Sequence, residues 1–124
     1  MTAYSGRNWS SMNPDKLWLH QLNEVVEQHL NKEVLNNERL AQLMSISERH
    51  LFRKMKQVCG LSPQRYLLSK RLEQAKSLLE EGRFRTVNEA ANAIGFQNVS
   101  YFIRIFEEKY GRKPLKVLRD AGWR

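Results

Sequence analysis

One cysteine, Cys59, stands in 124 residues, so no internal disulfide can form and no cysteine-rich metal site can be assembled. The three histidines, His20, His29 and His50, are scattered without ligand spacing, and neither a metal nor any other cofactor is expected. Apolar runs are short. None approaches a signal-peptide core or a membrane span, so no membrane contact is expected and the cytoplasm is the default residence. No stretch alternates in the manner of a strand. The usual catalytic apparatus is missing too: there is no phosphate-cradling glycine loop, and Glu80 and Glu81 are chain neighbours that cannot flank a substrate. Ser47 and Ser62 stand where helix caps are expected rather than nucleophiles. An enzyme is not expected.

What the chain does have is positive charge. Lys and Arg number 21 against 13 acidic residues, for a net +8, which leans toward polyanionic partners, and 41% hydrophobic residues suit a folded domain. The charge is uneven: residues 1–46 sum to −1, residues 47–76 to +6 and residues 77–124 to +3. A solvated helix surface explains a basic cluster as readily as a nucleic-acid contact does, so organisation has to decide.

The periodicity predicts helices throughout. Residues 1–14 are polar and aperiodic and read as a tail or interdomain linker, despite Tyr4 and Trp9. From Asp15, the residues Leu17, Trp18, Leu22, Val25, Val26 and Leu30 recur at helical steps. A short helix with Leu40, Ala41, Leu43 and Met44 follows Asn36 and Asn37; the next, capped by Ser47, carries Leu51, Met55 and Val58 inward and stops at Gly60. Ser62-Pro63 opens a helix running to about Glu80 on a stripe of Leu68, Leu72, Ala75 and Leu79, about 27 Å at 1.5 Å per residue. Thr86 and Glu89 have capping-box spacing before a short helix closed by Gly95. Asn98 caps a helix with Phe102, Ile105 and Phe106 inward that ends at Gly111, and Pro114 opens a last one with Leu115 and Leu118. Trp18, Tyr66 and Trp123 are expected to seal core edges rather than stack on single-stranded bases.

The chain also matches itself. Leu40, Ala41, Met44 and Ile46 fall on Ala90, Ala91, Ile94 and Phe96 at an offset of 50, and Leu51, Arg53, Met55, Gly60, Pro63 and Leu67 fall on Phe102, Arg104, Phe106, Gly111, Pro114 and Leu118 at 51. Apolar periodicity alone does not put two glycines, two prolines and an arginine in register. The repeat predicts an all-α fold of two tri-helical helix-turn-helix units, residues 15–62 and 82–124, joined by a linker helix over 63–81. Ala41, Ala90, Ala91 and Ala93 would permit close approach of the paired helices. Two reading helices on one face would lie about 34 Å apart, one turn of duplex, or the DNA would bend to meet both.

A major groove about 12 Å wide admits one helix, which makes its outer arc the reading surface. In the first unit that arc is Glu48, Arg49, Phe52, Arg53 and Lys56; Arg49 and Arg53 share a face and suit bidentate contact with guanine, and Phe52 suits a thymine methyl. In the second unit it is Val99, Ser100, Ile103 and Arg104, with Tyr101 alongside, and Glu107 and Glu108 limit approach to phosphate. Lys54, Lys56, Arg71, Arg112 and Lys113 are candidate backbone clamps. His50 stands where it would touch a phosphate or simply pack. The competing reading is a helical adaptor that meets protein partners through its basic face without reading bases.

These residues resemble the DNA-binding domain of the AraC/XylS family of bacterial transcription regulators. The resemblance runs from Asp15 to Leu118 and rests on Leu40-Ala41, Gly60-Leu61-Ser62-Pro63, Arg71-Leu72, Glu89-Ala90-Ala91, Gly95-Phe96, Tyr101-Phe102, Phe106 and Gly111-x-x-Pro114. It implies seven helices, two helix-turn-helix motifs and sequence-specific binding of double-stranded DNA, with base-reading places at Arg49, Phe52 and Arg53 and at Val99, Ser100, Ile103 and Arg104. It further implies RNA polymerase as a partner and a fused upstream sensory, receiver or dimerisation domain. The wording around Leu78-Leu79-Glu80-Glu81-Gly82 resembles the C-terminal output domain of a hybrid two-component sensor or response regulator. Three places depart from the family: Met55 replaces its usual Phe, Glu107 and Glu108 replace common lysines, and Val117-Leu118-Arg119 departs from its closing Tyr-Arg.

Overall fold

The computed structural model describes residues 13–33 and 35–122, so the tail with Tyr4 and Trp9, and also Trp123, lie outside the described residues. Seven α-helices are present among them: α1 (Pro14–His29), α2 (Asn37–Leu43), α3 (Glu48–Cys59), α4 (Pro63–Glu80), α5 (Val87–Ile94), α6 (Val99–Tyr110) and α7 (Pro114–Ala121). No strand occurs among the described residues. The chain forms two compact units, dividing between Leu67 and Leu68, and α4 connects them.

The helix starts follow the expected chemistry. Asn36, Ser47, Thr86 and Asn98 each accept a hydrogen bond from the amide three residues on, at 2.8, 3.0, 3.1 and 2.9 Å. Asn13 caps α1 through the Asp15 amide, which starts that helix one residue earlier than the periodicity indicates. The capping box at Thr86 is displaced: Glu89 accepts from the amide of Arg85, not from that of Thr86 itself.

The repeat extends to individual backbone bonds. In the first turn Ser45 and Ile46 donate to the carbonyls of Gln42 and Ala41, and in the second Gly95 and Phe96 donate to those of Asn92 and Ala91, all at 2.9–3.0 Å. This pattern satisfies two of the last four carbonyls of α2 and of α5 and turns the chain sharply toward the following helix.

Each unit has its own core. In the first, Leu22 and Val26 of α1, Leu40 and Ala41 of α2, Leu51 and Met55 of α3, and Tyr66 and Leu67 of α4 close together with Leu35. In the second, Leu72, Ala75 and Leu79 of α4 meet Ala90 and Ala91 of α5, Phe102, Ile105 and Phe106 of α6, and Val117 and Leu118 of α7. Ring centroids run 4.8, 5.6 and 4.8 Å apart from Phe96 through Phe102 and Phe106 to Tyr110. The corresponding places in the first unit are Ile46, Leu51, Met55 and Cys59, so one core is aliphatic where the other is aromatic. Flexible Met55 fills the place of Phe106 and is fully buried.

Four packing expectations need correction. Cys59 and Leu61, and not Val58, lie against the first core. Leu115 is 45% exposed because α7 turns Val117 inward beside the expected Leu118. Ala93 is exposed, so close helix approach in the second unit depends on Ala90 and Ala91. Trp18 packs partly buried against the first core, whereas Tyr66 is buried within it and donates its hydroxyl hydrogen to Asn23 Oδ1 at 3.0 Å.

Candidate nucleic-acid interface

The fold places α3 and α6 as the second helices of their respective motifs. Burial of Leu51 and Met55 turns the opposite side of α3 to solvent, where Glu48, Arg49, Phe52, Arg53 and Lys56 are all exposed, Phe52 at 49%. Glu48 sits in the first turn, where a carboxylate suits the positive end of the helix dipole, and leaves the rest of the arc cationic. An exposed phenylalanine between two arginines has no role in the first core. Apolar contact with a base edge would give it one.

On α6 the arc is narrower. Ser100, Tyr101 and Arg104 are exposed, but Val99 and Ile103 are half-buried against the second core. Arg104 is engaged within its own helix: Nη1 lies 3.3 Å from Glu108 Oε2, and the guanidinium carbon lies 5.2 Å from the centre of the Tyr101 ring. Periodicity cannot separate a residue on the outer arc from one at the core margin, so the pattern alone did not distinguish Val99 and Ile103 from Ser100 and Arg104.

The candidate clamps divide as well. Lys56 and His50 are exposed on α3, and Lys113 is exposed at the start of α7. Lys54 points elsewhere: its ammonium is 3.1 Å from Asp15 Oδ1 and 5.9 Å from the Trp18 ring, tying α3 to α1. Arg112 pairs with Asp120. Arg71 is half-buried, and burial pushes its guanidinium below the ordinary arginine value. Lys109, absent from the sequence-based candidates, donates to Ser69 Oγ at 2.9 Å. No group of three or more potential metal ligands occurs among the described residues, and no helix there is long and apolar enough to cross a membrane.

Comparison with known proteins agrees with this geometry. A family described as "Helix-turn-helix domain" matches residues 40–120. The transcriptional activator RhaS of Salmonella schwarzengrund is 38% identical over 105 residues, which is 83% of this chain and 37% of that protein, so the chain spans little more than a third of its relative. A probable AraC family transcriptional regulator from Rhodopseudomonas palustris superposes with a TM-score of 0.75 at 31% identity, covering 85% of this chain and 97% of that one. The DNA-binding domain of AdpA, solved in complex with a target DNA, gives 0.66 at 29% identity, covering 80% and 90%. The C-terminal domain of the two-component response regulator yesN from Fusobacterium nucleatum gives 0.66 at 28% identity, covering 81% and 96%. With its repeated turns, paired cores and two candidate reading helices, the chain belongs to the AraC/XylS family of helix-turn-helix DNA-binding domains.

Proposed function

We propose that this chain binds double-stranded DNA in a sequence-specific manner and serves transcription regulation, with α3 and α6 entering adjacent major-groove segments. The observation that carries the reading is the exposed arc of Arg49, Phe52, Arg53 and Lys56 on the second helix of a helix-turn-helix. Base contacts fall to Arg49, Phe52 and Arg53 in the first unit and to Ser100 and Arg104, flanked by Val99 and Ile103, in the second. Backbone contacts fall to His50, Lys56, Tyr101 and Lys113. Lys54, Arg71 and Arg112, whose charges are engaged or half-buried in the free chain, contribute less. The target DNA bound by the AdpA domain supports DNA as the ligand here.

The full protein is proposed to carry a sensory, receiver or dimerisation domain upstream and to act on RNA polymerase. The support is that the chain matches 37% of RhaS, named an activator, and resembles the C-terminal domain of a response regulator. Selection of binding sites from random-sequence duplex DNA, followed by salt titration on selected and random duplexes, tests the core of the reading. An enriched motif with two half-sites is expected, with log affinity falling linearly in log salt. Equal binding of both duplexes, or none, favours a helical adaptor that contacts protein.

A further inference from the structure

The two reading helices are held in equivalent frames. Each runs 12 residues, begins at a side-chain cap, Ser47 or Asn98, and ends at a left-handed glycine, Gly60 or Gly111. Each follows a turn with the same pair of backbone bonds, and each is oriented by two fully buried side chains one turn apart, Leu51 and Met55 in α3 and Phe102 and Phe106 in α6. The residues facing away from those anchors therefore stand at matching places: Arg49, Phe52 and Arg53 on α3, and Ser100, Ile103 and Arg104 on α6. Two of the three pairs keep their chemistry, arginine with arginine and apolar with apolar. The third does not, because Ser100 stands where α3 has Arg49.

We propose that the two units read imperfect copies of one half-site, each with a guanine beside a thymine, and that Ser100 is the residue at which the copies diverge. This rests on the DNA-reading role of α3 and α6 above. An arginine makes two directed bonds to guanine O6 and N7, and an apolar side chain favours the thymine methyl, so equivalent frames with equivalent side chains select the same bases. Arg53 with Phe52 and Arg104 with Ile103 supply that shared element. The Arg104 half is the weaker, since the pair with Glu108 must break and Ile103 is half-buried, but neither fact changes which base edge fits. Arg49 adds a second guanine to the first half-site. Four residues cover about 6 Å of helix against about 3.4 Å per base pair, so this guanine lies about one to two base pairs from the one read by Arg53. A serine hydroxyl both donates and accepts and suits most base edges, which leaves the same place in the second half-site degenerate.

Site selection from random-sequence duplex DNA, run with the 124-residue chain and its variants, tests this relation. The unsubstituted chain is expected to enrich two half-sites that share a guanine with a neighbouring thymine, one guanine preference being lost in Arg53→Ala and the other in Arg104→Ala. Ser100→Arg is expected to add a guanine to the second half-site, at the offset the Arg49 guanine has in the first. It should bind a duplex carrying that guanine about tenfold tighter than one with the base pair changed. Arg49 already occupies the equivalent place in α3, one residue inside the first turn, so an arginine there is compatible with a side-chain cap. Arg49→Ser is the converse change and should erase the second guanine from the first half-site, which keeps the proposal open to refutation even where Ser100→Arg fails to fold. Uniform tightening of all duplexes by Ser100→Arg, as from added charge alone, a new base at another offset, an unchanged site for Arg49→Ser, or two half-sites with no shared element would each overturn the proposal and leave DNA reading standing. If the unsubstituted chain enriches no motif, the DNA-reading function falls and this proposal falls with it.

Discussion

Ser45 and Gly95 occupy the same left-handed position in the two turns, with φ of 61° and 101°, and each donates its amide to the carbonyl three residues back at 3.0 Å. One turn carries the residue suited to that conformation and the other does not. A left-handed L-residue costs about 1–2 kcal/mol, and added chain entropy offsets about 0.5–1 kcal/mol of that on replacement by glycine. Ser45→Gly is therefore expected to raise stability by about 0.5–1 kcal/mol in urea denaturation. A Cβ at Gly95 meets nothing within 4 Å, so Gly95→Ala should cost about 1 kcal/mol through the backbone alone.

Removing Arg53 should matter more to DNA binding than removing Arg104. Arg53 faces solvent with no ion pair among the described residues, whereas Arg104 gives up Glu108 before it contacts anything else. Arg53→Ala is expected to weaken binding to a selected duplex by about 1–3 kcal/mol and to relax preference at one base position. Repeating the site selection with each variant measures both effects, and the larger loss of information should belong to Arg53→Ala.

Neighbouring lysines on α3 should separate into a stabilising one and a DNA-contacting one. Lys54 is held by Asp15 and lies over Trp18, so Lys54→Ala should lower stability by about 0.5–1 kcal/mol and reduce the salt slope of binding by less than Lys56→Ala does. Lys56 is exposed, and Lys56→Ala should reduce the salt slope by about 0.9 with no change in melting. Equal slopes for the two variants would contradict the placement of Lys54.

Tyr110 should make the second unit sensitive to alkali. Its hydroxyl is buried without a hydrogen-bond partner among the described residues, and burial, followed by Glu73 and Glu80, pushes its ionisation up. The folded value lies above the unfolded one of about 10, so the stabilisation is complete below the unfolded value and is lost as pH rises through the folded one. Tyr110→Phe deletes an unsatisfied buried hydroxyl and should change stability by no more than about 1 kcal/mol at neutral pH. At alkaline pH the variant should outlast the unsubstituted chain in denaturant melts. A parallel decline of both would show that Tyr110 does not drive the loss.

The helix order, the caps at Asn36, Ser47, Thr86 and Asn98, the paired turns and most of the two cores were legible along the chain because each depends on local spacing. The same is true of the outward arc on α3, where burial of Leu51 and Met55 leaves the arginines nowhere else to go. Tertiary structure decided what happens at the margins. Leu115 is turned out and Cys59 drawn in, Val99 and Ile103 are half-buried, Lys54 is taken by Asp15, and Ser45 carries a left-handed turn that its residue type does not announce. Helical period tells which residues share a face. Which member of that face meets a core, a counter-charge or open solvent depends on neighbours far away in the chain, as Asp15 is from Lys54, and that information exists only once the helices have packed.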